Sequence, residues 1–393
     1  MPLILRFWLL SGMRKVKILY VITKLELGGA QKHLLSLIQG LDQEKFDLYL
    51  FTAYEGLLIP EAALIKNLTL VRSKSLKREI NLFKDIFVIF QISKVIRNYN
   101  IDIVHTHSSK AGIVGRWAAK ISGVKVIIHT VHGWPFNDLQ KKFTRSFYIM
   151  LEKITSFFTD KLIVVSNFDK QLGLYNKIGS ESLYALIHYG IDYNEFSSVN
   201  SRIKEELGLK TDDLVVGMVS CFKPQKYPQD FVGLAAKLKD EMPGVKFILV
   251  GDGVLRKEIE GLIKKFSLED NVFLLGWRRD IPNILSGLDL FVLTSLWEGL
   301  PISALEAMAS SKPIITTHTG GISEIVVNGQ TGFIVPRFDI ETMANKVKFL
   351  LSDQGLRKEI GNNCRAALGD DFCIENMLNV TQGLYKSLMS LVN

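Results

Sequence analysis

Short apolar runs rich in Val, Ile, Leu and Phe recur along the chain, each followed by a stretch in which apolar residues return every three or four positions. In the first half the runs stand at Lys17–Thr23, Phe46–Thr52, Ile101–His105, Lys125–Thr130 and Lys161–Val165. In the second they stand at Leu214–Val219, Lys246–Val250, Val272–Leu275, Leu288–Leu293, Pro313–Thr316 and Gly332–Val335. Runs of this length, largely apolar and β-branched, predict strands buried on both faces, and their alternation with helical periods predicts parallel sheets covered by helices. The rhythm breaks at Asp192–Ser201, which is polar and turn-rich. The expected plan is therefore α/β, with an extension over 1–13, one domain over 14–195, a second over 196–374, and a closing helix over 375–393.

At 393 residues, 47% hydrophobic and 22% charged, the chain is long enough for two separate cores. No run of eighteen apolar residues occurs, so no spanning helix is expected. The first thirteen residues are apolar but brief, and they lack the basic start and small-residue cleavage pattern of a signal peptide. They read as a disordered extension, an interfacial anchor, or translation from upstream of a true start at Met13. Cys221, Cys364 and Cys373 are odd in number and show no metal-ligand spacing, which suits a reducing cytoplasm. Charge is uneven: residues 1–200 hold 26 Lys and Arg against 16 Asp and Glu, a net of +10, while residues 201–393 hold 22 against 24. A basic half suits an anionic partner or simple solubility; without a recognised motif, nucleic acid is not the expected partner.

The chemistry is written most clearly at residues 295–309, Ser-Leu-Trp-Glu-Gly-Leu-Pro-Ile-Ser-Ala-Leu-Glu-Ala-Met-Ala. A strand ends just before it, Gly299 turns the backbone, and Pro301 suits the first position of a helix. A helix N-terminus with free N–H groups at a strand's carboxyl end is a seat for phosphate. Glu298 stands at its lip and Glu306 in the second turn, where carboxylates accept paired hydroxyl donors. This is a layout for a nucleotide sugar. Gly28-Gly29, after the first strand, let backbone approach a diphosphate closely, or form an unliganded tight turn.

The 295–309 segment resembles the signature of the retaining family 4 (group 1) glycosyltransferases, and the likeness extends from about Val16 to Tyr385. Leu27-Gly-Gly-Ala-Gln31, His105-Thr-His-Ser-Ser-Lys-Ala-Gly112, His129-Thr-Val-His-Gly133, Tyr189-Gly-Ile-Asp192, Lys223-Pro-Gln-Lys226, Leu249-Val-Gly-Asp-Gly253 and Thr319-Gly-Gly-Ile-Ser-Glu324 agree with it in order. The resemblance implies a GT-B fold, two Rossmann-like domains facing a central cleft, with the C-terminal helix crossing back to the first domain. It implies His132 and Glu298 as catalytic residues, His132 donating a hydrogen bond to the transferred sugar. Donor-binding residues would be Gly28, Gly29, Lys223, Lys226, Gly299, Leu300 and Glu306. Many relatives place Gly-Arg where this chain has Ser220-Cys221, so the usual guanidinium is missing; Lys226 keeps its place, and Lys223 offers a second cation without a bidentate fork.

His105 and His107 share a strand face, but with no third ligand in the pattern no metal is expected, and no cofactor beyond a UDP- or GDP-sugar donor. His107, Lys110 and Trp134 are acceptor-side candidates. The aromatic and basic segment Trp134–Lys153, with Lys74, Lys77, Arg78 and Lys84, suits either an anionic inner leaflet carrying a lipid-linked acceptor or a buried helix with a basic outer face. The expected function is sugar transfer to a glycan or lipid-linked glycan in surface-polysaccharide assembly, by a cytoplasmic or peripheral enzyme. The alternatives are a soluble acceptor, or a non-catalytic nucleotide-sugar-binding subunit.

Overall fold

The computed structural model describes residues 14–197 and 199–392; the extension read at 1–13 lies outside them. The first sheet has seven parallel strands: β1 Val16–Ile22, β2 Phe46–Ala53, β3 Leu68–Ser73, β4 Ile103–His107, β5 Val126–Val131, β6 Lys161–Val164 and β7 Tyr184–Leu186. Their order is β3-β2-β1-β4-β5-β6-β7. The second has six: β8 Leu214–Val219, β9 Val245–Val250, β10 Val272–Gly276, β11 Leu290–Leu293, β12 Ile314–Thr317 and β13 Gly332–Val335, in the order β10-β9-β8-β11-β12-β13. Both are doubly wound. The order in which strands are added reverses between β1 and β4 in one sheet and between β8 and β11 in the other, the places where such sheets bind ligands.

The apolar pattern missed β3, an edge strand mostly half-buried, and β7, only three residues long. β4 begins two residues later than the apolar run; just before it the Asp102 carboxylate accepts from Arg14 at 2.7 Å and from the Lys17 N–H at 3.1 Å. Asp289 stands in the same way before β11, accepting from Val215 N at 2.9 Å. The helix Ile374–Val392 packs against the first sheet's core, burying Met377, Tyr385, Leu388 and Met389 beside Ile18, Tyr20 and Leu34.

Five of the seven histidines gather at the carboxyl edge of β1, β4 and β5. The His105 and His107 rings lie 4.3 Å apart. His105 bonds the Tyr385 hydroxyl at 2.6 Å through Nδ1 and Thr130 at 2.7 Å through Nε2. His107 Nδ1 lies 2.9 Å from His132 Nε2, and His132 Nδ1 lies 2.8 Å from the Tyr189 hydroxyl. Burial pulls His33 down to about 4 and His105, next to it, to about 3, and holds His107, His129 and His132 well below the ordinary 6.5.

These histidines fold neutral. Below about pH 6.5 the unfolded chain binds protons that the folded chain excludes, so their contribution is present above that pH and lost as pH falls towards 4. Burial raises Asp169 to about 7, Asp230 to about 6 and Glu195 above the ordinary carboxylate range; these act with the opposite sign, their contribution fading as pH rises, but they are three groups against five. The urea midpoint is expected to fall steadily between about pH 7 and pH 5, with a shallower slope in His105→Asn. A flat profile would remove the desolvated histidine layer.

Candidate active site

The helix Ile302–Ala309 opens the site. Pro301 is its N-cap in extended conformation, one residue before the helical position expected from sequence. The helix is apolar and buried along most of its length, and Glu306 is buried with it. Its carboxylate meets Lys32 Nζ, from the first helix of the other half, at 3.4 Å. Glu298 sits in the turn between β11 and this helix with its side chain 7% exposed. It accepts from Ser295 Oγ at 2.7 Å and pairs with Lys226. Thr294, at the end of β11, donates to the Lys226 or Tyr227 carbonyl at 3.0 and 2.9 Å, fixing the loop that delivers the lysine.

Between the halves lies a cavity of about 110 Å³. Gly28, Gly29 and Lys32 line it from one side, and Ser220, Cys221, Lys226, Trp277, Arg278, Ser303 and Glu306 from the other. Its wall includes a buried hydroxyl, Ser220 Oγ, with no hydrogen-bond partner among the described residues. The Glu306 carboxylate, two lysines, a helix N-terminus and a glycine pair thus converge from both sheets, with Glu298 outside the lining but paired to Lys226, a set matched to hydroxyls and an anion.

The halves meet with almost nothing between them. Gly133 has φ +112°, and a Cβ there would stand 3.0 Å from Gly299 N; one on Gly299 would stand 2.8 Å from Gly133 N. Beside this seam the Glu324 carboxylate caps the helix Asn167–Tyr175 of the other half, accepting from Asn167 N at 2.9 Å and Phe168 N at 2.8 Å. Arg337 pairs with Asp138, and Arg279 with Glu61, across the same divide.

The residues read from sequence as donor-binding divide. Gly28, Gly29, Lys226 and Glu306 line the cavity; Gly299 forms the seam and Leu300 is buried in the second core. Lys223 is absent from the cavity wall, and burial pulls its ammonium below the usual lysine range. His132 is half-buried, with both ring nitrogens bonded to protein, so donation to a sugar requires it to exchange Tyr189 or His107.

The acceptor-side candidates need correction. His107 is fully buried behind His132. Trp134 is 6% exposed, stacked on Phe136, with its indole N–H donating to the Asp169 carbonyl at 2.8 Å, so it is core and no acceptor surface. Lys110 is tied to Asp85 at 2.6 Å. Lys32, Trp277, Arg278 and Ser303 escaped the sequence reading; Trp277 and Arg278 follow directly on β10, and their place at a strand's carboxyl end was the available signal. Among the described residues no group of three His, Cys, Asp or Glu could hold a metal ion, and no helix is long and apolar enough to cross a membrane.

Comparison with known proteins agrees with this geometry. Residues 27–195 match the model of glycosyltransferase family 4, and residues 199–367 that of glycosyl transferases group 1. The chain is 33% identical over 377 residues to the UDP-Gal:alpha-D-GlcNAc-diphosphoundecaprenol alpha-1,3-galactosyltransferase of Escherichia coli, covering 94% of this chain and 97% of that one. It is 26% identical to the capsular polysaccharide biosynthesis glycosyltransferase CapM of Staphylococcus aureus, over 80% of this chain and 84% of CapM. Among solved structures, Anabaena HepE in complex with UDP and glucose superposes with a TM-score of 0.82 at 21% identity, over 95% of this chain and all of HepE. WaaG, involved in lipopolysaccharide biosynthesis, superposes at 0.75 with 17% identity, over 93% and 100%. With both halves matched in order and a relative alike over nearly its whole length, the chain belongs to the group 1, family 4 glycosyltransferases, is a glycosyltransferase, and carries their GT-B fold.

Proposed function

We propose that this enzyme moves a hexose, galactose foremost, from its UDP-sugar to a hydroxyl of a glycan carried on a polyprenyl diphosphate, with retention of configuration and without a metal, working peripherally at the inner face of the membrane during surface-polysaccharide assembly. The observation that carries the reading is the cavity in which Glu306, Lys226 and the Gly28-Gly29 turn converge from two sheets. The E. coli relative, acting on UDP-Gal and a diphosphoundecaprenol acceptor, supports the choice of donor and acceptor.

In this mechanism the cavity, smaller than the roughly 300 Å³ of ordinary ligand sites, opens by separation of the halves to admit the donor. Glu306 then takes the ribose hydroxyls, while Lys226, the Gly28-Gly29 backbone and the N-terminus of the Ile302–Ala309 helix take the diphosphate. Glu298 orders the sugar hydroxyls, and His132 exchanges Tyr189 for one of them. Re-closure on the Gly133–Gly299 seam excludes water. The anomeric carbon's bond to the UDP oxygen breaks as its bond to the acceptor oxygen forms on the same face, and the acceptor's proton passes to the departing phosphate. Preorganised donors stabilise the negative charge that develops there.

Glu306→Ala is expected mainly to weaken donor binding, and Glu298→Ala and His132→Ala mainly to slow the single-turnover rate, a lost charge-assisted hydrogen bond costing about 1.5–3 kcal/mol. Calorimetry with a panel of UDP-, GDP- and ADP-sugars and a quenched-flow rate for each variant test the division. Full activity in both glutamate variants would overturn the site.

Lys32 supplies from the opposite half the cation that relatives carry at Cys221. Lys32→Met is expected to lower UDP-sugar affinity on the order of tenfold, and Cys221→Arg added to it to restore that affinity. An unchanged affinity in Lys32→Met would remove this role.

Transfer is expected to survive EDTA, since lysine, amides and a helix terminus hold the diphosphate. Activity lost with chelator and regained with manganese or magnesium would show the opposite.

A further inference from the structure

Two helices of the first half turn apolar side chains to solvent. In Leu82–Tyr99 only Val88, Ile92, Ser93 and Ile96 are buried, while Leu82, Phe83, Ile86, Phe87 and Phe90 are exposed, Phe83 by 88%. Lys142–Ser156 is apolar on both faces: it turns Tyr148 and Ile149 to the core and buries Glu152, Thr155 and Ser156, while Phe143, Phe147, Met150 and Ile154 face outward, Phe143 by 85%. Arg116, fully buried on the helix Ser109–Ile121, holds the Glu152 carboxylate at 2.6 Å and so anchors the inner edge of this helix. That middle helix packs against both others and adds Trp117 and Ile121 to the exposed face.

A helix in water ordinarily buries its apolar stripe, and a contiguous exposed patch marks something that covers it. The charges around this patch say what. Lys84, Lys94, Arg97, Lys120, Lys141 and Lys142 are all exposed on the same three helices or at their ends. Those helices contain only two carboxylates, Asp85 and Glu152, and each is already paired, with Lys110 and Arg116. A surface of phenylalanines and unopposed cations complements acyl chains beneath anionic headgroups. Position agrees as well. The helices follow β3 and β5, so their N-termini lie at the carboxyl edge of the sheet, which puts Phe83 and Phe143, both in first turns, on the cleft side.

We infer that the layer formed by Leu82–Tyr99, Ser109–Ile121 and Lys142–Ser156 is a docking face for an anionic phospholipid bilayer, inserting Phe83, Phe87, Phe90, Phe143 and Phe147 and bringing the cleft to a membrane-borne acceptor. It rests on the proposed lipid-linked acceptor for its purpose, but binding to lipid is measurable apart from transfer.

Co-sedimentation of the full chain with vesicles of phosphatidylcholine alone, or of phosphatidylcholine mixed with phosphatidylglycerol, tests it. The wild type is expected to bind the mixed vesicles, more weakly as salt is raised. Partitioning is expected to drop at least about tenfold in Lys141→Ser/Lys142→Ser/Arg145→Ser, and in Phe83→Ser/Phe87→Ser/Phe90→Ser. Circular dichroism and UDP affinity are expected to match the wild type in both variants; a third variant, Phe143→Ser/Phe147→Ser, answers if either misfolds. Equal binding by all forms, or none by the wild type at low salt, overturns the inference. So does attachment lost only when residues 1–13 are removed, or a wild-type dimer made monomeric by the phenylalanine changes. Vesicle binding without turnover of any UDP-sugar would keep the docking face and discard the transfer reading.

Discussion

The active cleft depends on two stretches of bare backbone being able to touch. Parallel sheets direct their strand ends, and the loops that follow, towards one side, and here both sheets direct them at the same seam. At its tightest point Gly133 and Gly299 leave no room for even a methyl group. A larger residue at either position would hold the halves apart, and the pairings across or beside the seam would go with it: Lys32 with Glu306, Glu324 with the Asn167–Tyr175 helix, Arg337 with Asp138. The site is therefore a property of the closed pair of domains and of neither domain alone.

The site also neutralises itself. Both carboxylates assigned to hydroxyls are held by lysines assigned to phosphate, Glu306 by Lys32 and Glu298 by Lys226. Under the proposed reading a nucleotide sugar exchanges these internal partners for its own groups, anion to lysine and hydroxyl to carboxylate. Few charges are then left unsatisfied before or after binding, which keeps the cost of desolvating the cleft low. It also gives a physical reason for the cations to come from opposite sides, since neither domain then carries a bare charge cluster when the cleft opens.

Much of this was legible in the sequence. The eleven apolar runs correspond to strands because strands buried on both faces leave an uninterrupted apolar trace. Where the trace misled, a specific interaction intervened. Asp102 and Asp289 sit inside apolar runs yet act as caps on neighbouring chain. β3 was invisible because an edge strand need not be apolar. Trp134 looked like an acceptor-side aromatic, but the turn after β5 carries it back under the sheet. For the Lys142–Ser156 helix the sequence left two surroundings open, because apolar residues stand on both of its faces: Tyr148 and Ile149 pack on the core and Arg116, on another helix, draws Glu152 in beside them. Lys32 was missed because its meaning lies in a partner 274 positions away.

The helix Ile374–Val392 has a consequence for how the protein is made. It completes the core of the first half, with Tyr385 bonded to Tyr20 and His105 beneath the histidine layer. Those side chains leave the ribosome after every strand of both sheets. The first half, although synthesised first, must wait with part of its core open until this helix has been made, whereas the second half has every strand in hand by Val335. The usual N-to-C order of domain maturation is thus reversed. A nascent chain stalled short of residue 374 would display a finished second domain and an unfinished first one, with its apolar sheet face uncovered and open to chaperones.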